Sequence, residues 1–432
     1  MAKRSYKQVK RNDRTYNMLA LPGTNFFKFE IINMMGSNVE RLYNKKHNKN
    51  VFGISHFIEH LGFRSPKDYS TQELMKLIKN EGTYNASTDY DRINYWFQTT
   101  MDRIDLGIRL VANYALNNLD TISEDEFEIE RKVVFNEAKR YADDDQTMFW
   151  FNSTRALTGY AEEDNIIGIP ETITTFTIED CIAIKNTFLK SGSNVYNVTF
   201  DSDLLTESEV IDKIEAELLR HQPLSLSDTI SHDDYIAAVI QPKQVTYKLE
   251  NDSEQAMTFI NLDVVGNKMT ADSGNAYLSI YAEETSLNDI IREQNGLTYS
   301  ISFGAGNTSY KPYTYFGCDV SKGTEGKLME LFEESINLST QAWTLDAHKK
   351  FMEAKRLKRT MNLLDQKNYG SWHSIATWYP EVIEELKEVL ADDLDKAYDV
   401  MDDTYSTFEA IGSYLKTVQD KVSTKSYGLV TN

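Results

Sequence analysis

Between Ser55 and Leu61 the chain reads His56-Phe57-Ile58-Glu59-His60. Two imidazoles at i and i+4 of a helix project from one face about one turn apart, so both can reach a single tetrahedral metal ion. Glu59, three residues after His56, lies on the same side. A catalytic zinc needs three protein ligands, a position left for water, and a carboxylate that is not a ligand to take that water's proton. Glu59 fits the base. Glu137, with seventy-six residues between it and His60, stands on another predicted helix and fits the third ligand. The order H-x-x-E-H is the inverted zinc hydrolase signature. Taken alone, the pentapeptide also suits a surface helix that carries two histidines and a glutamate, so the surrounding sequence has to decide.

The elements that would position these residues can be read from local signals. Ser70 and Glu73 form a capping box for a helix that stops at Gly82, and strand-like residues follow from Thr83 to Thr99. A helix is predicted over Asp102 to Asn117, where Ile104, Ile108, Val111 and Ala115 make one apolar face suited to covering a sheet. Ser123 and Glu126 form a second capping box, opening the helix that bears Glu130 and Glu137. The second half repeats this plan: a helical stretch from Tyr277 to Arg292 stops at Gly296, and strands are expected from Thr298 through Val320. With short gaps, the segment Leu77 to Tyr84 aligns with Ile290 to Tyr299, as an old duplication would leave it. Turn formers gather after His221, so the chain divides into a first domain over 1–222, a linker over 223–243 and a second domain over 244–432. Each half mixes helices with hairpins, which predicts an α+β fold of two homologous domains, each a mainly antiparallel sheet backed by helices.

At 432 residues the chain has room for two or three cores. A net charge of −20 argues against nucleic acid as a partner, because phosphate binding needs clustered Lys and Arg. No apolar run has the length of a membrane span, so no membrane association is expected. The basic stretch Lys3 to Arg11 reads as a solvated terminus rather than a transit peptide, since it has no apolar face. Two cysteines, Cys181 and Cys318, offer no disulfide framework, which makes a reducing cytoplasm the expected location. The triplets Asn85-Ala86-Ser87 and Asn197-Val198-Thr199 match a glycosylation pattern that is silent there.

Three blocks carry a family resemblance: Gly53 to Phe63 around the motif, Glu81-Gly82-Thr83-Tyr84-Asn85-Ala86-Ser87-Thr88, and Glu130-Arg131-Lys132-Val133-Val134-Phe135-Asn136-Glu137. In order and spacing they resemble the pitrilysin or insulinase-type zinc metallopeptidases, and especially single-half members similar to mitochondrial processing peptidase subunits. The resemblance implies zinc held by His56, His60 and Glu137, Glu59 as general base, and Glu130 supporting the site from behind a ligand. It implies that Arg292 and Tyr299 contact the substrate at the scissile bond, where donors stabilise developing oxyanion charge. Asn85, Ala86 and Ser87 match a segment on which an extended peptide adds to a sheet edge.

Half-length members of this family close a clamshell from two chains. The implied assembly is therefore a homodimer with active sites completed in trans, with a heterodimer as the alternative and peptides as substrates. A non-catalytic structural homologue is the rival reading. Two departures stand out: Arg64-Ser65-Pro66 in place of small and glycine residues after the motif helix, and no glycine in Tyr196 to Asp201. Gly304-Ala305-Gly306 reads as a turn, the remaining histidines His47, His221, His232, His348 and His373 have no ligand spacing, and Trp372, Trp378 and Tyr379 read as packing.

Overall fold

The computed structural model describes residues 3–12, 14–33, 36–90, 92–144, 147–149, 151, 165–188, 194–221, 247–248, 255–262, 267–308, 311–364 and 380–431. The linker assigned to 223–243, His232, His373 and the Trp372, Trp378 and Tyr379 group lie outside these residues.

Two compact units are present. The first is built on β1 (Ser5–Arg11), β2 (Arg14–Ala20), β3 (Phe26–Asn33), β4 (Thr83–Thr88), β5 (Ile93–Thr100) and β6 (Asn194–Phe200), in the order β1-β2-β6-β3-β5-β4. The second is built on β7 (Tyr247–Lys248), β8 (Gln255–Leu262), β9 (Ser302–Thr308), β10 (Lys311–Ser321) and β11 (Gly428–Thr431), in the order β7-β11-β8-β10-β9. Setting β1 aside, the two orders coincide strand for strand. Each sheet has one parallel pair, β2 with β6 and β7 with β11, and its other pairs are antiparallel. The α+β class is thus borne out, with one sheet plan used twice.

In the first unit α1 (Asn38–His47), α2 (Ile54–Leu61), α3 (Thr71–Glu81), α4 (Ile104–Ala115) and α5 (Glu124–Ala142) accompany the sheet. The apolar face foreseen for α4 is buried at Ile104, Ile108, Val111 and Ala115, against a core containing Phe27, Phe29 and Phe97. Gly107 permits this approach, because a Cβ there would lie 3.3 Å from the Phe27 ring and 3.4 Å from that of Phe97. Strand β5 alternates buried Ile93, Tyr95 and Phe97 with less buried neighbours, the period-two signature of a sheet with one inner face. The helix Pro380–Asp392 packs against β1 and belongs to this unit, although the second sheet's strands β7–β10 precede it in the chain. The missing glycine at the end of β6 has a local use: Asp201 accepts backbone N–H bonds from Gly23 at 2.8 Å and Asn25 at 2.6 Å, tying down the β2–β3 turn.

Three expectations for the second unit are corrected. The helix predicted over Tyr277 to Arg292 is broken: the helix Lys268–Ala276 runs into a π turn over Tyr277–Tyr281, and after an interruption a second π turn spans Asn288–Gln294. Apolar spacing reports which face is buried but not the hydrogen-bond register, so the wider turn was hidden. Tyr299 lies in the connection before β9, not in a strand. Gly304, Ala305 and Gly306 are inside β9 rather than in a turn. The reason for Gly304 is the cross-strand Tyr315, whose ring lies 2.8 Å from where a Cβ would be.

Candidate metal centre

Helix α2 is only eight residues long, too short to hold itself, and it is held at both ends. The fully buried Glu40 carboxylate accepts the backbone N–H of Gly53 and of Ser55, each at 2.8 Å, satisfying donors at the helix N-terminus. Gly53 has φ +93° and a Cβ there would sit 2.3 Å from the Gly168 Cα, so two glycines allow the 165–168 turn to close over this end. At the other end Asn117 Nδ2 donates to the carbonyls of Leu61, Gly62 and Arg64, at 3.3, 3.2 and 2.8 Å. Phe57, Ile58 and Leu61 face the core, which leaves His56, Glu59 and His60 on the opposite side.

Helix α5 opens at the Ser123–Glu126 capping box and buries Phe127, Glu130, Val134 and Ala138. Glu130 and Glu137, two turns apart, therefore face the same way. The Glu137 carboxylate lies 3.3 Å from His60 Nε2 and 3.9 Å from His56 Nε2, and one donor atom from each of the three residues falls within 4.8 Å of the others. Glu130 Oε1 lies 2.8 Å from His60 Nδ1, so that nitrogen carries the proton and donates, leaving Nε2 to face Glu137. Two imidazoles and a carboxylate converging in this way suit zinc as a donor set. Glu59 stands apart from them, receiving a hydrogen bond from Thr88 Oγ1 at 2.6 Å.

The electrostatics differ sharply between the two histidines. Burial, with His60 next to it, lowers the His56 pKa to about 4, so this ring is a neutral donor at ordinary pH. Burial pulls His60 down as well, but hydrogen bonds to Glu130 and Glu137 outweigh it and raise its pKa to about 9. Burial also opposes ionisation of Glu130, yet His60 and Arg64 hold it below the usual carboxylate range, and Glu137 is held low by its bond to His60. Glu59 is raised by burial, partly offset by Thr88. A metal arriving here must displace the proton that His60 Nε2 holds without it.

The cleft around these groups encloses about 650 Å³ and is lined by Tyr84 to Thr88 of β4 as well as by the histidines and glutamates. Strand β4 is an edge of its sheet. Asn85, Ala86 and Ser87 thus border the same cleft, although alternation along the strand exposes Asn85 and Ser87 and turns Ala86 and Thr88 inward. Arg292 and Tyr299 are in the second unit, the guanidinium 5.4 Å from the centre of a Tyr299 ring that is 86% exposed. Sequence reading missed Thr88, Arg64, Glu40 and Asn117. Arg64 left a signal as a departure beside the motif, and Thr88 as the last residue of the block Glu81 to Thr88, but neither spacing disclosed its partner.

A second grouping, Asp68, Glu217 and His221, also brings three donor atoms within 4.8 Å. There Arg220 already bonds both carboxylates, at 2.8 to 3.1 Å, so a cation would have to displace a guanidinium. His348 instead bonds the Ser406 carbonyl at 2.8 Å, and His47 packs on Tyr43.

Residues 45–164, which include the whole donor set, match the family described as insulinase, peptidase family M16. The zinc protease PqqE of Helicobacter pylori is 33% identical over 133 residues, 30% of this chain and 29% of that protein. The human mitochondrial-processing peptidase subunit beta is 26% identical over 152 residues, 35% of this chain and 30% of its own. These matches span less than a third of either relative. A crystal structure described as a peptidase M16 inactive domain from Pseudomonas fluorescens superposes with a TM-score of 0.72 at 13% identity, covering 99% of this chain and 97% of that one, a likeness of fold.

Proposed function

We propose that this chain, with its insulinase-family segment over residues 45–164, is a zinc-dependent endopeptidase acting on peptides or unfolded segments. The observation that carries the reading is the convergence of His56, His60 and Glu137 beside Glu59, a carboxylate outside the donor set in the same cleft. Zinc held by those three residues would supply a Lewis acid that brings the pKa of a water molecule toward neutrality. Glu59 would take the proton from that water and return it to the leaving amine, a role suited to a buried carboxylate with a raised pKa. The β4 edge would receive an extended substrate through main-chain hydrogen bonds, with Asn85, Ala86 and Ser87 alongside it. Arg292 and Tyr299 would hold the oxyanion, each such donor being worth about 3 kcal/mol of barrier. In the assembly proposed, a homodimer, each copy supplies that pair to the other, and the cytoplasm is its compartment.

The test is mass-spectrometric analysis of a mixed peptide pool incubated with zinc-loaded protein and, in parallel, with Glu59→Gln protein. Products that depend on Glu59 support the reading. The rival, a non-catalytic subunit that keeps the fold, is favoured by the Pseudomonas fluorescens relative being described as inactive. A zinc-loaded, folded protein that yields no Glu59-dependent products would favour that rival.

A further inference from the structure

Arg64 follows the motif helix by three residues and has no part in the zinc chemistry proposed above. Its side chain reaches α5. Both Nε and Nη2 of the guanidinium bond Oε2 of Glu130, while the other oxygen, Oε1, takes His60 Nδ1. Glu130 is thus divided, one oxygen to each partner. It is also buried, 4% exposed, so without a cation it would be an uncompensated charge in the interior. Arg64 itself is anchored by its backbone: its carbonyl accepts from Asn117 Nδ2, and the next residue's carbonyl accepts from Thr121 Oγ1 at 2.6 Å. Ser65 Oγ adds a bond to Glu126, one turn before Glu130 on α5. The guanidinium therefore starts from a held backbone and ends on a carboxylate whose second oxygen orients a zinc ligand.

We propose that Arg64 is a positioning residue for His60, acting through Glu130 to keep Nδ1–H turned toward α5 and Nε2 toward the metal position. The proposal rests on the zinc-site reading, but not on peptidase activity. Removing Arg64 leaves Glu130 free to rotate or withdraw, and the His60 ring loses the contact that sets its orientation. Groups behind a metal ligand typically account for ten- to a hundredfold in metal affinity.

The experiment uses the full chain and metal alone. Zinc affinity is measured by competition with a chromogenic chelator, and the visible bands of the cobalt(II)-substituted protein report the ligand geometry. Arg64→Met is expected to bind zinc ten- to a hundredfold more weakly and to shift the cobalt bands, and its metal-free melting temperature should fall because buried Glu130 loses its cation. Arg64→Lys, which keeps a charge but offers no planar fork, should fall between them. Adding Arg64→Met to Glu130→Gln should weaken zinc binding little further, because both changes cut one path. Wild-type zinc affinity and cobalt bands in folded Arg64→Met would overturn the proposal. If Arg64→Met does not fold, Arg64→Lys decides, and wild-type affinity in that variant overturns the idea. A wild-type protein that binds zinc yet cuts nothing removes the peptidase reading and leaves this test intact, whereas one that binds no zinc removes both.

Discussion

Thr88 on the edge strand donates its hydroxyl to the Glu59 carboxylate on α2 at 2.6 Å. The group proposed to handle the proton is thus tethered to the strand proposed to receive the substrate. A hydrogen bond to an ionised group contributes about 1.5–3 kcal/mol, and this one favours the charged form of Glu59. Thr88→Val is expected to lower kcat roughly tenfold, which corresponds to the lower end of that range, without reducing zinc content. Its acid limb in a kcat/KM profile should move to higher pH, since loss of the donor raises the Glu59 pKa further. Thr88→Ser should behave as wild type. A Thr88→Val enzyme with an unmoved acid limb would disconnect the tether from the base.

Glu40 offers a separate test of how the motif helix is held. Its buried carboxylate satisfies two backbone N–H groups, and Glu40→Ala would leave both without that acceptor. At about 1–3 kcal/mol for each buried donor left unpaired, a loss of roughly 3 kcal/mol in unfolding free energy is expected. Urea denaturation measures it, and Glu40→Gln, which keeps one acceptor oxygen, should lose less. An unchanged midpoint would mean that α2 is held by its core residues alone.

What the sequence disclosed and what it concealed differ by range. The motif spacing, the Ser70–Glu73 and Ser123–Glu126 boxes and the stop at Gly82 are local, and all four are in place. The bonds from Arg64 to Glu130, Thr88 to Glu59 and Gly53 to Glu40 join residues 66, 29 and 13 positions apart. Which carboxylate meets which cation depends on how α2 and α5 pack, and no spacing rule reports that. Likewise, the strand order that the two units share once β1 is set aside exists only in the pairing, although the aligned segments before β4 and β9 hinted at it. Gly304 misled because its lack of a side chain answers to Tyr315 on the neighbouring strand, not to a turn.

The proposed assembly in trans makes a prediction about mixtures. Glu59→Gln lacks the base, and Arg292→Ala lacks a donor proposed to serve the partner's cleft. Random exchange between the two variants should leave roughly a quarter of all sites with both groups intact, because half the dimers are mixed and each has one such site. Peptidase activity above that of either variant alone is the expected result. Demonstrated subunit exchange without recovery would contradict completion in trans.

Lys185, on the helix Ile178–Phe188, is 1% exposed, and its Nζ has no hydrogen-bond partner among the described residues. Burial lowers its pKa to about 7, with a small opposing effect from Cys181. In the unfolded chain the same amine titrates at ~10.4. Between those values the unfolded state holds a proton that the folded state lacks, so stability rises with pH across the window. Below the folded pKa both states are charged and the penalty is at its full value, on the order of 4 kcal/mol. Lys185→Met should therefore raise the melting temperature most at pH 6, and the gain should shrink steadily toward pH 10. Thermal melts of both proteins across that range measure the difference. A gain that does not vary with pH would assign the effect to side-chain shape and not to a buried charge.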